Sequence, residues 1–240
     1  MNPLDPNQAA SSSDFEFAAL AEAKNYRSAL IEEFGNFVRG NVIEIGAGIG
    51  QMTGLIRQLD EVDRLVAIEP DRGFAAKHRV IHPDHEVVDG FIDDAPASTA
   101  WDAIVSVNVL EHIEHDSAEL EKYSTLLSQA RGHLCLFVPA SPEIYAPIDR
   151  DFGHFRRYRK AQLKQMLRAS RFEIVSLNYF NSAGYFAWWF NFRLLKRRTF
   201  EPAKVRFYDR VIFPHVHRLE AKICRPPFGQ SLIAVARALS

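Results

Sequence analysis

Four short apolar runs, at 42–45, 65–68, 103–107 and 134–138, recur along the chain with helix-length stretches between them. The runs are rich in Val, Ile and Leu and show little polar alternation, so they read as strands buried on both faces. Strands of that kind belong to parallel sheets whose crossovers are helices. Helical spacing at 52–59, 72–79, 116–130 and 160–169, with further strands at 86–88 and 172–177, completes the pattern. The expected class is therefore α/β, a mostly parallel sheet covered on both faces, with ligands at the carboxyl ends of its strands.

At 240 residues the chain is long enough for one such domain. Residues 1–13, polar with Pro and a Ser run, are expected to be disordered. Residues 14–240 then form a single domain. Asp14 can cap a helix reaching Val38 through Phe15, Ala19, Leu20, Ala23, Tyr26, Leu30, Phe34 and Phe37, with Gly40 ending it, so 14–40 is an N-terminal capping helix. The core spans 41–181, and a helical insertion at 182–229 precedes a final strand at 230–240. Pro214 is expected to kink or break the insertion's second helix. Cys135 and Cys224 form no CxxC pair and point to a reducing compartment. The N-terminus lacks the basic and apolar regions of a signal peptide, and no apolar run approaches the roughly 20 residues of a spanning helix. The expected location is the cytoplasm.

The first strand runs into VIEIGAGIG, which places Gly46, Gly48 and Gly50 directly after an apolar run. A bare strand-to-helix turn lets a ligand approach the main chain. The dinucleotide fingerprint G-x-G-x-x-G is not met, because the third glycine falls one position early and Gln51 follows it. A Walker loop is excluded by the missing Gly-Lys-Ser/Thr. Glu44 adds a carboxylate beside the turn, which repels a diphosphate and suits a cation. Glu69 ends the second strand in LVAIEPD, where a carboxylate can accept from both hydroxyls of a ribose. Asp89 ends the third strand in VVDGFI, with Phe91 placed to pack on a purine, and Asn108 ends the fourth in SVNVLEHI.

This set of motifs resembles the class I S-adenosylmethionine (SAM)-dependent methyltransferases over roughly residues 41–138. VIEIGAGIG matches that family's E/D-x-G-x-G-x-G, and IEPD, VDG and NVLEHI follow in its order and spacing. The resemblance implies a Rossmann-like sheet of seven strands, the last antiparallel, and methyl transfer that leaves S-adenosylhomocysteine (SAH). By carry-over Gly46, Ala47, Gly48 and Gly50 border the methionyl part, and Glu44 helps hold its ammonium through the turn. Glu69 with Pro70 takes the ribose, Asp89 with Gly90 and Phe91 the adenine, and Asn108 with Val109 lies near the sulfonium arm. YAPIDRDFGHFRRYRK and PPFGQSLIAVAR are similar to a branch with a GHxRRY loop, often found beside sugar-transferring enzymes. That similarity points to a small-molecule, natural-product or glycan acceptor.

Methyl transfer from a sulfonium is an in-line displacement, and a base is needed where the acceptor must lose a proton. His112 and His154 are the candidates; Asp149 or Asp151 could orient His154, which could equally just tie down its loop. Arg156 and Arg157 could fork onto an anionic acceptor or pair with acids of the first half. Tyr145 and Tyr158 are expected in the same pocket, with Tyr26 and Trp188 as further acceptor contacts. Glu111, His112, His115 and Asp116 have spacings that could converge on a metal, but the resemblance gives this segment to cofactor and acceptor, and no metal is expected.

Residues 1–148 carry 10 Lys/Arg against 24 Asp/Glu, and residues 149–240 carry 19 against 6. Either the halves attract each other or the basic half draws an anionic partner. AGYFAWWFNFRLLKRR mixes aromatics with a basic end. It reads as a lid over the acceptor pocket or at a dimer seam, or as a transient membrane or lipid-linked contact. No nucleic-acid motif accompanies it, so nucleic acid is not an expected partner. Monomer and homodimer both remain open. The rival function classes are a nicotinamide-dependent oxidoreductase, disfavoured by Gln51 and Glu44, and a non-catalytic SAM-binding or scaffold protein.

Overall fold

The computed structural model describes residues 22–97, 99–222 and 225–240. Seven strands form one sheet: β1 (Gly40–Ile45), β2 (Val62–Glu69), β3 (Glu86–Asp89), β4 (Ala103–Val107), β5 (His133–Pro139), β6 (Phe172–Phe180) and β7 (Ser231–Ala238). Their order is β3-β2-β1-β4-β5-β7-β6. β7 is antiparallel to both neighbours, and the other pairings are parallel, as expected. Strand order reverses between β1 and β4, so a crevice opens where the ends of those strands part.

The helices are α1 (Lys24–Phe34), α2 (Thr53–Ile56), α3 (Arg72–Ile81), α4 (Asp116–Ser128), α5 (Pro147–Asp151), α6 (Lys160–Ala169), α7 (Ser182–Trp188), α8 (Pro202–Phe207) and α9 (Phe213–Lys222). Alternate residues of each strand point to opposite faces. Ile43, Val66, Ile104 and Leu134 therefore pack under Tyr123 and Leu127 of α4 and Leu163 and Leu167 of α6. Val42, Leu65, Val105 and Phe137 pack under Leu30 and Phe34 of α1 and Phe213 of α9. Two apolar faces are why the strands read as nearly unbroken apolar runs. Asp71 starts α3 by accepting from Gly73 N at 2.8 Å and Phe74 N at 2.9 Å.

Several local expectations are corrected. The helix expected at 52–59 has an α-helical part of only four residues, α2, extended to Leu59 by tighter single turns. The N-terminal helix does not run through Ala23, whose φ of −90° and ψ of 60° are not helical. Asp14, Phe15, Ala19, Leu20, the N-terminal tail and Cys224 lie outside the described residues. Pro214 does not break its helix. It sits in the first turn of α9, directly after a π-helical turn at Tyr208–Ile212. A proline has no N–H for the carbonyl four residues back, and a wider turn before it accommodates the loss.

The insertion is clamped to α1 across the cavity described below. Asp209, buried in the π turn, accepts from Asn25 N at 3.0 Å and Tyr26 N at 2.9 Å, and its carbonyl accepts from Asn25 Nδ2 at 3.0 Å. A carboxylate there satisfies N–H groups at the start of α1, so the helix begins at Lys24. The acidic and basic halves also meet directly, through Arg156–Asp116 at 2.7 Å, Arg225–Glu33 at 2.9 Å and Arg206–Glu22 at 3.2 Å. Among the described residues no helix is long and apolar enough to cross a membrane. Asp209→Ala is expected to lower stability by about 1–3 kcal/mol in urea unfolding, because it leaves helix donors unsatisfied. An unchanged unfolding midpoint would show that the insertion is anchored elsewhere.

Candidate active site

The glycine turn leaves β1 with φ of 67° at Gly46, 55° at Gly48 and 90° at Gly50, all left-handed. Two of these glycines also answer to the protein's own packing. A Cβ on Gly46 would lie 2.5 Å from Val109 Cγ2, and one on Gly50 would lie 2.6 Å from His78 Nε2. Gly46 N and Ala47 N donate to the Ile68 carbonyl at 2.8 and 3.1 Å, which pulls the turn over the end of β2.

Glu69 completes that tie. Its carboxylate accepts from Gly48 N at 2.7 Å and from Asp71 N at 2.9 Å. Burial still pushes its pKa above the usual carboxylate range, against the lowering by these two donors. A carboxylate has about four acceptor positions, so two remain for a diol. Glu44 departs from expectation. It is buried, accepts from Thr53 Oγ1 at 2.5 Å, and burial pushes its pKa up to about 8. Near neutral pH it is largely uncharged, so it supplies less repulsion of a diphosphate than the sequence reading assigns to it. It acts on the turn through Thr53.

Beyond β3 Phe91 is 67% exposed, an unusual position for a phenylalanine. Its N–H and that of Gly90 are held by Asp94 Oδ2 at 2.9 Å and the Glu69 carbonyl at 3.1 Å. Pro70, between Glu69 and the Asp71 cap, is exposed. Asp89 is not free at the strand end: Arg79 pairs with its Oδ1 at 2.6 Å. Asn108 takes a φ of 53° after β4, a conformation asparagine tolerates better than most residues.

Asn108 also lies in the wall of a cavity of about 370 Å³ between the sheet edge and the insertion. Tyr26, His154, Arg157 and Trp188 share that wall, and Phe192, Phe200 and Tyr208 close it from the insertion side. Tyr145, Arg156, Tyr158 and His112 do not line it. Tyr158 is fully buried, with its hydroxyl bonded to Asp116 Oδ2 at 2.9 Å and the Leu110 carbonyl at 3.1 Å. Tyr145 donates to the His154 carbonyl at 2.7 Å, and Arg156 is committed to Asp116 and the Glu114 carbonyl. These three side chains brace the loop that carries His154.

Arg157 reaches the cavity but is held from behind. Its Nε donates to Asp149 Oδ1 at 2.8 Å, Nη1 donates to the Ala140 carbonyl at 3.1 Å, and the guanidinium stacks on Trp188 at 4.5 Å. Asp149, not Asp151, orients His154, with Oδ1 3.2 Å from Nδ1. Asp151 pairs with Arg198 instead. His112 lies edge-on behind His154, with ring centroids 4.7 Å apart. The metal grouping read from spacing does not assemble: Leu110–His112 is a 3-10 turn and Asp116 belongs to α4 with other partners. His154 from the later loop joins Glu111 and His112 instead. Sequence reasoning missed Asn181 and Gln230, which line the cavity and bond to each other at 2.9 Å. No local pattern marks them, because they meet only when β6 and β7 pair.

No curated protein matches the chain in sequence. Among solved structures, the chain is similar to the partner of the Trm112 methyltransferase activator in a complex from Haloferax volcanii, with a TM-score of 0.64, 13% identity and coverage of 99% of this chain and 100% of that one. It is similar to DhpI in its SAH complex, with a TM-score of 0.61, 17% identity and coverage of 97% and 94%. A SAM-dependent methyltransferase from Archaeoglobus fulgidus gives a TM-score of 0.56, 16% identity and coverage of 88% and 92%. Likeness at such identities carries the fold alone. The family model described as "Methyltransferase domain" matches residues 17–177, most of the sheet and its crevice. With more than half of its length matched, the chain belongs to the methyltransferase domain family.

Proposed function

We propose that this methyltransferase uses SAM and transfers its methyl group to a hydroxyl or amine of a small-molecule, natural-product or glycan acceptor. The observation that carries the reading is a shared wall: Asn108 stands both at the end of β4 beside the glycine turn and in the cavity under the insertion. A nucleoside in the crevice would thus face an acceptor in the cavity across one residue. SAM bound there would supply an electrophilic methyl carbon on a sulfonium. The chain's part is to align acceptor, carbon and sulfur, and to exclude water.

Each proposed role has structural support. Glu69 retains acceptor capacity for the ribose, and Phe91 offers an open ring face for the adenine beside Asp89. Gly46, Ala47, Gly48 and Gly50 border the methionyl part. Tyr26, Trp188 and the aliphatic part of Arg157 pack around the acceptor, and His154 takes its proton where one must leave. Arg197 and Lys204 at the cavity share one carboxylate, Glu201, at 3.9 and 2.6 Å, so one positive charge in excess supports an anionic acceptor there, whereas Arg156 and Arg157 each have an acid of their own. A second reading concerns delivery. Phe186, Trp189, Phe190 and Leu194 are exposed on the insertion beside Arg193, Lys196 and Arg198, which supports contact with a membrane-borne or lipid-linked acceptor.

The activity test is methyl release from labelled SAM over a panel of hydroxyl and amine acceptors; binding with no turnover on any acceptor would leave a scaffold. Glu69→Ala is expected to weaken SAH binding by about 1.5–3 kcal/mol, since it removes two ribose bonds and slackens the turn. Unchanged affinity in calorimetry would mean the ribose lies elsewhere. His154→Ala is expected to cut turnover by about 10²–10⁴-fold while SAH affinity holds; full activity would make His154 a structural residue. Burial, then the neighbouring His154, depresses His112 to about 4. Burial likewise lowers His154 in spite of Asp149. A lowered pKa keeps the imidazole neutral, and able to accept a proton, as pH falls through the ordinary histidine range. The kcat profile should therefore stay level below pH 6.5 and decline only in stronger acid. A midpoint at or above 6.5 would assign the proton to an exposed group.

A further inference from the structure

Glu111, His112 and His154 each offer one ligand atom, and the three atoms lie within 4.8 Å of one another. They come from two segments far apart in sequence. Several bonds hold those segments together: Phe155 N to the Glu111 carbonyl at 2.9 Å, the Tyr158 hydroxyl to the Leu110 carbonyl at 3.1 Å, and Arg156 Nη2 to the Glu114 carbonyl at 2.8 Å. His154 is the best prepared of the three. Its Nδ1 is engaged by Asp149, and Nε2 is aimed at Glu111 Oε1, 3.9 Å away, beyond hydrogen-bond reach. His154 is nine-tenths buried, and its Nε2 has no hydrogen-bond partner among the described residues. Asp149 is itself fixed by Arg157 Nε at 2.8 Å and Ala146 N at 2.8 Å. A carboxylate that fixes a histidine's far nitrogen is the support that metal-binding imidazoles ordinarily have.

We propose that Glu111, His112 and His154 bind a divalent first-row transition cation of the zinc type at the floor of the acceptor cavity. Two imidazoles and one carboxylate are a donor set that zinc, manganese and ferrous iron accept and that magnesium and calcium accept poorly. Coordination bonds of about 2.0–2.2 Å need only a modest closing of the side chains. Three protein ligands leave the ion open to a further donor. Of the three ligands His154 alone borders the cavity, and a donor from the cavity would reach the ion past it. Resting on the transferase reading, this makes the acceptor an oxygen donor, a hydroxyl held on the ion. A cation on Nε2 occupies the position from which His154 would take a proton, so the base role proposed above belongs to the metal-free chain and the ligand role to the loaded one.

The experiment uses the full chain stripped with chelator. Cobalt(II) is added with its visible d–d bands as the readout, zinc is titrated calorimetrically, and magnesium serves as the control. SAH binding and far-ultraviolet circular dichroism are recorded for every protein. One equivalent of cobalt with tetrahedral or five-coordinate bands is expected. Glu111→Gln and His154→Ala should each weaken it at least about tenfold, and Asp149→Asn by about 10–100-fold, with the fold retained. His85→Ala, in the separate cluster of His78, His82 and His85 on and after α3, should change nothing. The proposal is overturned by absent cobalt bands, by equal affinity in Glu111→Gln and His154→Ala, or by binding that follows His85. Loss of SAH binding alone would count against the methyltransferase reading and leave the metal result standing.

Discussion

The paired hydrogen bonds from Gly48 N and Asp71 N to the Glu69 carboxylate decide the geometry of the crevice. They join the turn after β1 to the end of β2, so the main chain bends across the strand ends in one conformation. Without them three left-handed glycines would be free to adopt many others. Val109 packs into the space that Gly46 leaves, and His78 into that of Gly50, which couples the turn to β4 and α3. A ligand in the crevice therefore meets a backbone whose shape is set before it arrives. That reduces the ordering cost of binding.

The acceptor side is organised by a second buried carboxylate. Asp149 gathers His154, Arg157 and the Ala146 N–H. Tyr158, Tyr145 and Arg156 fasten the same loop to the segment after β4. Asp209 performs the corresponding task for the insertion by seizing the start of α1. Cofactor crevice, histidine wall and aromatic roof are thus three separately braced pieces that meet at Asn108.

Much of this was legible in the sequence because the signals were local. Ala103–Val107 and Lys160–Ala169 fall at the positions read from periodicity, and Asp71 begins α3 as a capping residue should. Glu69, the three glycines and His154 were read from motifs, and the structure brings them to one edge of the sheet. What was not legible depended on partners distant in sequence. Nothing near Asp89 announces Arg79 as its neighbour, and nothing near Arg156 or Arg157 decides between an acceptor and the protein's own acids, here Asp116 and Asp149. The neutral state of Glu44 follows from burial that a motif cannot express. The Asp209 clamp spans 184 positions, and Glu111 meets His154 only once two loops have closed on each other.

On the reading proposed here, this crevice is shaped for a sulfonium nucleoside and not for a dinucleotide diphosphate. Calorimetry of the purified chain with SAH and, separately, with NAD tests it most directly. The account predicts saturable SAH binding at one site and none for NAD. Tight NAD binding with no response to SAH would contradict it.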